Sequence, residues 1–252
     1  MAEIRNKPDI SIITATHHRP DLLRRSILSL KNQNHANYEH IVVSDHCPYA
    51  RYVYEEFSDD SRIRFFENQY PWIKNAGSIA KNIGIENIRS DLIGYCDDDN
   101  VLLPNCIETF VDKFSNNQSL EVLFTQAYFI KVGIGNNQIE KIVKRDLEDY
   151  SDHTEIIWHD NLCMAHTRSA IENVGPWRTD NPGIRDGEDD ELIRRFFSNN
   201  LNIKKIEEKT GIYYWRSACV ENDNAYHQAL TSLNVDSGNY YVFNYQEGNK
   251  ND

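Results

Sequence analysis

Short apolar runs alternate with amphipathic stretches along the first hundred residues. One amphipathic stretch begins at Asp21 and places Leu23, Ile27 and Leu30 on one face, and a second covers residues 75–88; both predict helices. Four apolar runs have the length and β-branched content of strands: Ile10–Thr14, His40–Ser44, Ile63–Phe66 and Leu92–Cys96. Strands and helices that alternate at this spacing predict a mainly parallel sheet with helices on both faces.

Beyond Asn100 the pattern continues with less regular spacing. A third apolar stripe predicts a helix through Ile107, Phe110 and Phe114, whereas residues 138–149 are charged and ambiguous. Other segments have the composition of short elements or loops: a strand at 120–132, a turn at 133–137, strand ends at 156–161 and 164–166, a loop at 175–183, a helix from 187 and a last strand at 203–206. From Thr210 onward the sequence has no clear period.

Carboxylates stand at the ends of two of the predicted strands. Asp45 follows the second strand, and Asp97, Asp98 and Asp99 follow the fourth. The carboxyl ends of parallel strands meet at one edge of a sheet, where α/β proteins bind their ligands. Three adjacent acids repel one another, and a hard divalent cation such as Mg²⁺ or Mn²⁺ would relieve that repulsion. The alternative is a solvated acidic turn.

A second acidic cluster, Glu188 to Glu191, opens a predicted helix. The simplest explanation is structural, because acids in the first turn are stabilised by the helix dipole. The functional alternative is that one carboxylate serves as a general base held on a rigid element.

Composition and charge narrow the class of protein. The 252 residues are 40% hydrophobic and carry a formal net charge of −12, which is typical of a globular chain and argues against a nucleic-acid partner. Five cysteines without a CxxC pair predict reduced thiols and a cytoplasmic location. No signal peptide and no apolar run of about 20 residues is visible, although peripheral membrane contact through a partner stays open.

Five segments occur in an order that resembles a known family. They are ISIITATHHRP, HIVVSDH, NAGSIAKNIGIENIRSDLIGYCDDDN, ENVGPW and GEDDELIRRF, and they span roughly residues 9–198. This order is similar to that of the family 2 glycosyltransferases of the GT-A fold, including the spore-coat polysaccharide type. The resemblance implies a Rossmann-like three-layer αβα sandwich around a mainly parallel sheet, with a small additional antiparallel sheet.

The resemblance also implies one glycosyltransferase domain over residues 1–252. Its nucleotide-binding half would cover about 9–100 and its acceptor-binding half about 101–215. Residues 216–252 would form a C-terminal flap or tail, and Trp215 and Arg216 stand where relatives close a flap over the diphosphate.

Carried over residue by residue, the family's motifs assign roles to the acidic positions and to the first loop. Asp189, with Glu188 beside it, matches the catalytic base. The spacing of Asp189, Leu192 and Arg195 matches the family's D-x-x-L-x-x-R pattern and favours Asp189 over Asp190. The donor-binding positions would be Thr16, His17, Asp45, Lys81 and Asp98. The metal-binding positions would be Asp99, Asp97 and, in some relatives, His227. His17 replaces an aromatic residue, and Lys81 replaces an arginine.

Acceptor contacts are implied for Asp160, His166 and Trp177. A buried structural histidine is the alternative for His166, and loop packing is the alternative for Trp177.

The implied activity is inverting, metal-dependent transfer from a nucleotide-diphosphate sugar, with a UDP-sugar favoured. The acceptor would be a saccharide or a lipid-linked saccharide, and the cofactor Mn²⁺ or Mg²⁺. A non-catalytic sugar-nucleotide-binding module is one alternative. A sugar-phosphate nucleotidyltransferase is another, but the first loop lacks the glycine-rich sequence usual in those enzymes.

Overall fold

The computed structural model describes residues 7–70, 77–132, 139–144, 160–180 and 188–216. Its first four strands form a parallel arrangement with β1 at the centre. They are β1 (Ile10–Thr16), β2 (Tyr38–Ser44), β3 (Ile63–Glu67) and β4 (Leu92–Tyr95). Thr16 pairs with Ser44, and Ile13 pairs with Tyr95, so the carboxyl ends of β1, β2 and β4 lie side by side.

The strands of the second half extend the same sheet. They are β5 (Val101–Leu102), β6 (Val122–Val132), β7 (Ile139–Lys144), β8 (Met164–Thr167) and β9 (Ile203–Arg216). Within the described residues the order is β3-β2-β1-β4-β8-β6-β9-β5, and β7 pairs with β6. β8 is antiparallel to β4 and β6, whereas β9 is parallel to β6. Within the described residues, the antiparallel pairs expected in a small additional sheet are continuous with the main sheet.

In the described part of the chain, six α-helices cover the two faces of the sheet. They are α1 (Pro20–Lys31), α2 (Ala50–Glu55), α3 (Ser78–Glu86), α4 (Cys106–Ser115), α5 (Arg168–Val174) and α6 (Glu188–Ser198). Ile12 of β1 packs with Phe110 of α4, and Val42 of β2 packs with residues of α1 and α2. Ile13 and Tyr95 point to the opposite face, which is covered by α3, α5 and α6. Because strand side chains alternate between faces, both faces are apolar, and the predicted three-layer arrangement is confirmed.

Several sequence-based boundaries change in the structure. The sequence pattern missed α2 and α5, which are only six and seven residues long, because such short helices carry little periodicity. The ambiguous segment 138–149 contains β7, and the last strand continues to Arg216 rather than ending at 206. That extension was missed because pairing with β6, a long-range contact, holds it in place.

Four of the five cysteines lie within the described residues. Cys47, Cys96, Cys106 and Cys163 are buried free thiols, whereas Cys219 lies outside the described part of the chain. No helix in the described ranges is long and apolar enough to cross a membrane.

Candidate functional site

Thr16 joins three strand ends at one edge of the sheet. Its backbone carbonyl accepts a hydrogen bond from the Asp45 N–H at 2.8 Å. Its hydroxyl donates to Asp98 Oδ2 at 2.9 Å. The parallel register places these residues together, so the convergence predicted from the ends of β2 and β4 is present in the structure.

Arg19, which lies just before α1, holds two members of the aspartate triplet. Its Nη1 donates to Asp98 Oδ1 at 3.0 Å and to Asp99 Oδ2 at 2.7 Å. Arg25 donates to the backbone carbonyl of Asp99 and stacks over the Tyr214 ring at 4.1 Å. These two arginines fix the turn after β4 and offset part of its negative charge.

Lys81 and Asn161 lie between Asp97 and Asp189. The Lys81 ammonium is 3.7 Å from Asp97 Oδ1 and 3.6 Å from Asp189 Oδ1. The Asn161 side-chain amide donates to Asp97 Oδ2 and to Asp189 Oδ1, both at 3.3 Å. The Asn161 backbone N–H also donates to Asp189 Oδ2 at 3.3 Å. The carboxylate at the end of β4 and the carboxylate at the start of α6 thus share two donor groups.

The ionisation of this cluster reflects burial among like charges. Burial by itself lowers the pKa of Lys81, but Asp97 and Asp189 outweigh that effect and raise it, so the ammonium stays charged. Burial raises the pKa of both Asp97 and Asp189, and the nearby Lys81 opposes the rise. The lysine therefore favours the charged form of the carboxylate that would act as a base.

Glu188 and Asp160 lie next to the group formed by Lys81, Asp97 and Asp189. Burial, aided by the charge of Asp189, raises the pKa of Glu188 to about 8, so this carboxyl is mostly protonated at neutral pH. Burial, with Asp189 and Asp97 nearby, raises the pKa of Asp160 well above its ordinary value. Asp160 accepts a hydrogen bond from the Leu162 N–H at 2.9 Å and thereby caps the short helical turn Asn161–Cys163. Between the two paired acids of α6, Asp189 is the better candidate for an ionised base.

Asp45 lies at the neighbouring strand end in a polar setting of its own. Asn68, which follows β3, donates to Asp45 Oδ1 at 2.7 Å and accepts from the Tyr70 N–H at 2.9 Å. His17 is exposed and makes a 2.5 Å hydrogen bond to the Asp45 carbonyl oxygen. Asp45 is therefore oriented by a buried amide, with an imidazole at the open side.

The donor set suits a divalent cation that also binds a substrate. Within the described residues, no group of three or more His, Cys, Asp or Glu side chains is arranged to hold a metal ion. Mg²⁺ commonly takes only one or two carboxylates and completes its shell with water and substrate phosphates. The side chains of Asp97 and Asp99 are 29% and 19% exposed, compared with 4% for Asp98. Arg19 bonds both Asp98 and Asp99, but Asp98 is nearly buried and is bonded on both oxygens, by Arg19 and by Thr16. Asp97 and Asp99 are the more exposed members of the triplet and therefore fit better as protein ligands.

His166 and Trp177 are buried in the core. The Trp177 indole N–H donates to the Tyr95 hydroxyl at 3.1 Å, and that hydroxyl is 2.9 Å from His166 Nε2. Since His166 Nδ1 bonds the Thr167 carbonyl, Nδ1 carries the proton and Nε2 accepts from the tyrosine. Burial lowers the pKa of His166 to about 4. These positions favour the structural alternatives for both residues, although the Trp177 ring also lies 4.4 Å from the Lys81 ammonium.

Two predicted features fall at the limits of the described chain. His227 lies outside the described residues, as does most of the predicted flap. The backbone of Trp215 and Arg216 belongs to β9 and pairs with Lys131 and Val132 of β6.

The polar residues of this edge that were missed from the sequence include Arg19, Asn68 and Asn161. Arg19 carried a usable signal, because it follows the first strand at the edge where the acids were expected. The two asparagines had none, since their partners are distant along the chain.

A family model described as glycosyl transferase family 2 matches residues 11–175, which is more than half of the chain. The chain belongs to glycosyltransferase family 2. The matched segment contains Thr16, Asp45, Lys81, the aspartate triplet and Asn161, whereas Asp189 lies beyond its end.

Curated relatives of this family 2 glycosyltransferase come from different organisms. An uncharacterized glycosyltransferase of Methanocaldococcus jannaschii is 30% identical over 164 residues, covering 63% of this chain and 54% of the relative. The GalNAc(5)-diNAcBac-PP-undecaprenol beta-1,3-glucosyltransferase of Campylobacter jejuni is 32% identical over 108 residues, covering 42% and 34%. The chain thus spans about half, or less, of the length of these relatives.

Solved structures establish the GT-A fold for this glycosyltransferase. S. aureus TarS in complex with UDP-GlcNAc superposes with a TM-score of 0.64 at 11% identity, covering 90% of this chain and 66% of that one. The mannosyltransferase PcManGT from Pyrobaculum calidifontis, in complex with GDP-Man and Mn²⁺, gives a TM-score of 0.63 at 10% identity, covering 91% and 65%. At these identities the likeness concerns the fold alone.

Proposed function

We propose that this glycosyltransferase transfers a sugar from a UDP-sugar to an acceptor hydroxyl with inversion, using Mn²⁺ or Mg²⁺. The observation that carries the proposal is the placement of Asp189. Its carboxylate stands at the start of α6, next to the aspartates at the end of β4, and Lys81 and Asn161 connect the two sides. A base that faces a metal-binding strand end across one small site suits a single in-line displacement.

In the proposed reaction, Asp189 removes the proton of the acceptor hydroxyl. The acceptor oxygen forms a bond to the anomeric carbon as the bond from that carbon to the diphosphate oxygen breaks, and the diphosphate leaves as UDP. One attack from the side opposite the leaving group inverts the anomeric configuration. A positioned base typically contributes roughly 10²- to 10⁴-fold to such a step.

The donor would lie along the carboxyl ends of β1, β2 and β4. Asp45, held by Asn68, would accept the N3–H of uracil, and His17 would flank the base. Thr16 and Asp98 would border the ribose. Asp99 and Asp97 would hold the metal ion, which would supply positive charge for the departing diphosphate.

The acceptor is proposed as a saccharide or a lipid-linked saccharide. The Campylobacter jejuni relative is named for a glucosyl transfer to an undecaprenol-linked saccharide, which supports this class. Its short coverage leaves the acceptor to experiment. We also propose a cytoplasmic location, with attachment to a membrane through the acceptor or a partner.

The test is UDP release from UDP-glucose, UDP-galactose and UDP-GlcNAc with Mn²⁺, using water or simple saccharides as acceptors. We expect Asp189→Asn to lower kcat by about 10²-fold or more, because the amide cannot take the proton. Asp99→Ala should lose the dependence on Mn²⁺ together with activity. Gln33→Ala is a control outside the site, since Gln33 is a buried amide bonded to backbone groups of Ser29, Leu103 and Ile107. Turnover that survives both site variants would contradict the proposal, and UDP binding without turnover would favour a non-catalytic module.

A further inference from the structure

Asn161 is a buried polar residue whose side-chain contacts are not explained by packing alone. It is fully buried, and it directs its amide nitrogen toward two carboxylates that come from different parts of the chain. Its Oδ1 accepts no hydrogen bond from the described residues. Rotating the amide by 180° would place Oδ1 against both carboxylates, so their negative charge fixes the observed orientation.

Asn161 contacts Asp189 at two points. The backbone N–H reaches Oδ2 and the side-chain N–H reaches Oδ1, each at 3.3 Å. Two donors on two oxygens of one carboxylate restrict both its rotation and its position. Lys81 places its ammonium 3.6 Å from Asp189 Oδ1 and thus contacts this carboxylate through one atom pair.

Asn161 also contacts Asp97, so it connects Asp189 to the end of β4. The Asn161 amide lies 3.3 Å from Asp97 Oδ2 and 3.4 Å from Oδ1. Asp97 directly follows the core residues Tyr95 and Cys96, and Asn161 is itself part of a capped, buried turn. Displacing Asn161 would therefore let the α6 carboxylate move relative to the strand end.

We propose that Asn161 is a positioning residue that sets the separation between the base Asp189 and the donor-binding edge at Asp97. This inference rests on the proposed function, because it acts through the proposed base. Small displacements of a reacting group can cost about 10²-fold in rate. Loss of Asn161 should thus lower kcat and leave donor binding intact.

The experiment compares Asn161→Ala with Asn161→Asp in the UDP-release assay with Mn²⁺, alongside calorimetric UDP binding. We expect Asn161→Ala to lower kcat by about 10- to 100-fold, with the donor KM and the UDP Kd changed less than about twofold. Asn161→Asp has the same shape but replaces the shared donor with a third carboxylate. It should lose more activity than Asn161→Ala, whereas a purely packing role predicts that it loses less. If Asn161→Ala does not fold, Asn161→Ser replaces it in the comparison. Its kcat should fall in the same way, because the serine hydroxyl ends one bond short of the amide nitrogen that both carboxylates share.

A double-mutant cycle separates positioning from general damage. In an Asp189→Asn background, Asn161→Ala should lower the residual rate by less than about twofold, because the group it positions is already lost. Gln33→Ala should lower the unfolding temperature without changing kcat in either background. An Asn161→Ala enzyme with wild-type kcat, or losses that multiply with those of Asp189→Asn, would overturn this inference. An Asp189→Asn enzyme with wild-type kcat would instead refute the proposed role of Asp189 as the base, and with it the mechanism on which this inference rests.

Discussion

At the scale of single residues, the site is built from polar side chains that orient one another. Asn68 shows this clearly, because its amide donates to Asp45 while its carbonyl oxygen accepts from a backbone N–H. Both residues are about 5% exposed, so neither has water as a ready substitute partner. The direction of the Asp45 carboxylate therefore depends on Asn68.

Asp45→Ala and Asn68→Ala should both weaken UDP binding. We expect a loss of about 1–3 kcal/mol for Asp45→Ala, since the uracil N–H would be left without an acceptor. Asn68→Ala should cost less, because the acceptor stays but loses its orientation. Isothermal calorimetry with UDP and Mn²⁺ measures both effects.

The control for this prediction is Asn105→Ala, since the Asn105 amide donates to the Lys209 carbonyl at 3.2 Å next to the start of α4. Unchanged UDP affinity in Asp45→Ala would show that the base is bound elsewhere.

At the scale of elements, α3 must approach β1 closely to deliver Lys81 to the site. Gly84 makes this approach possible, because a Cβ at that position would lie 2.5 Å from Ile13 Cγ2. Ile13 is fully buried between β2 and β4, so it cannot move aside. The single glycine one turn after Lys81 thus sets the distance between helix and sheet.

Gly84→Ala should destabilise the protein despite the better helix propensity of alanine. Overpacking typically costs about 1–3 kcal/mol, which exceeds the gain of about 1 kcal/mol from replacing glycine in a helix. Urea unfolding measures the difference.

The same substitution should cost less in an Ile13→Ala background, where the clashing atoms are absent. An equal loss of stability in the two backgrounds would mean that the clash with Ile13 does not cause the destabilisation.

At the scale of the whole molecule, the acidic site opposes folding. Glu188, Asp189, Asp97 and Asp160 are brought together from three segments, and the pKa of each is raised by burial. A carboxyl whose folded pKa is raised binds its proton more tightly in the native state. Its contribution to stability is therefore present below the ordinary pKa and is lost as pH rises through the folded pKa.

Glu188→Gln should stabilise the protein, and more so at pH 8 than at pH 5. The pKa of Glu188 is raised from 4.5 to about 8, so the penalty for its charge grows across that window. The gain should be on the order of 1 kcal/mol or more at pH 8. It should appear even though an acid in the first turn of a helix is ordinarily favourable. Unfolding in urea at the two pH values measures the effect.

Glu191→Gln on the same helix is the matched control. Glu191 accepts hydrogen bonds from Arg195 Nε at 3.0 Å and Nη2 at 2.8 Å, so its neutralisation should lower stability. If Glu188→Gln proved destabilising at pH 8, the cost attributed to the clustered acids would be wrong.

Local sequence patterns are sufficient to predict the layered α/β fold, the strand ends that carry Asp45 and Asp97 to Asp99, and the acidic start of α6. These features follow from local patterns, because alternation within strands and apolar stripes along helices record which face of each element is buried. The family resemblance was also readable, since its motifs are continuous along the chain.

How these pieces meet depends on contacts between distant parts of the chain, which are visible in the folded structure. The fold placed Lys81 and Asn161 between Asp97 and Asp189, assigned Arg19 to the aspartate triplet, and buried His166 and Trp177. Such contacts join residues that are tens of positions apart, and an isolated lysine or asparagine carries no periodic signal of its partner. The same limit hid the extension of β9, whose strand conformation depends on pairing with β6. Local sequence thus recorded the elements and their faces, and long-range packing decided which charges share a site.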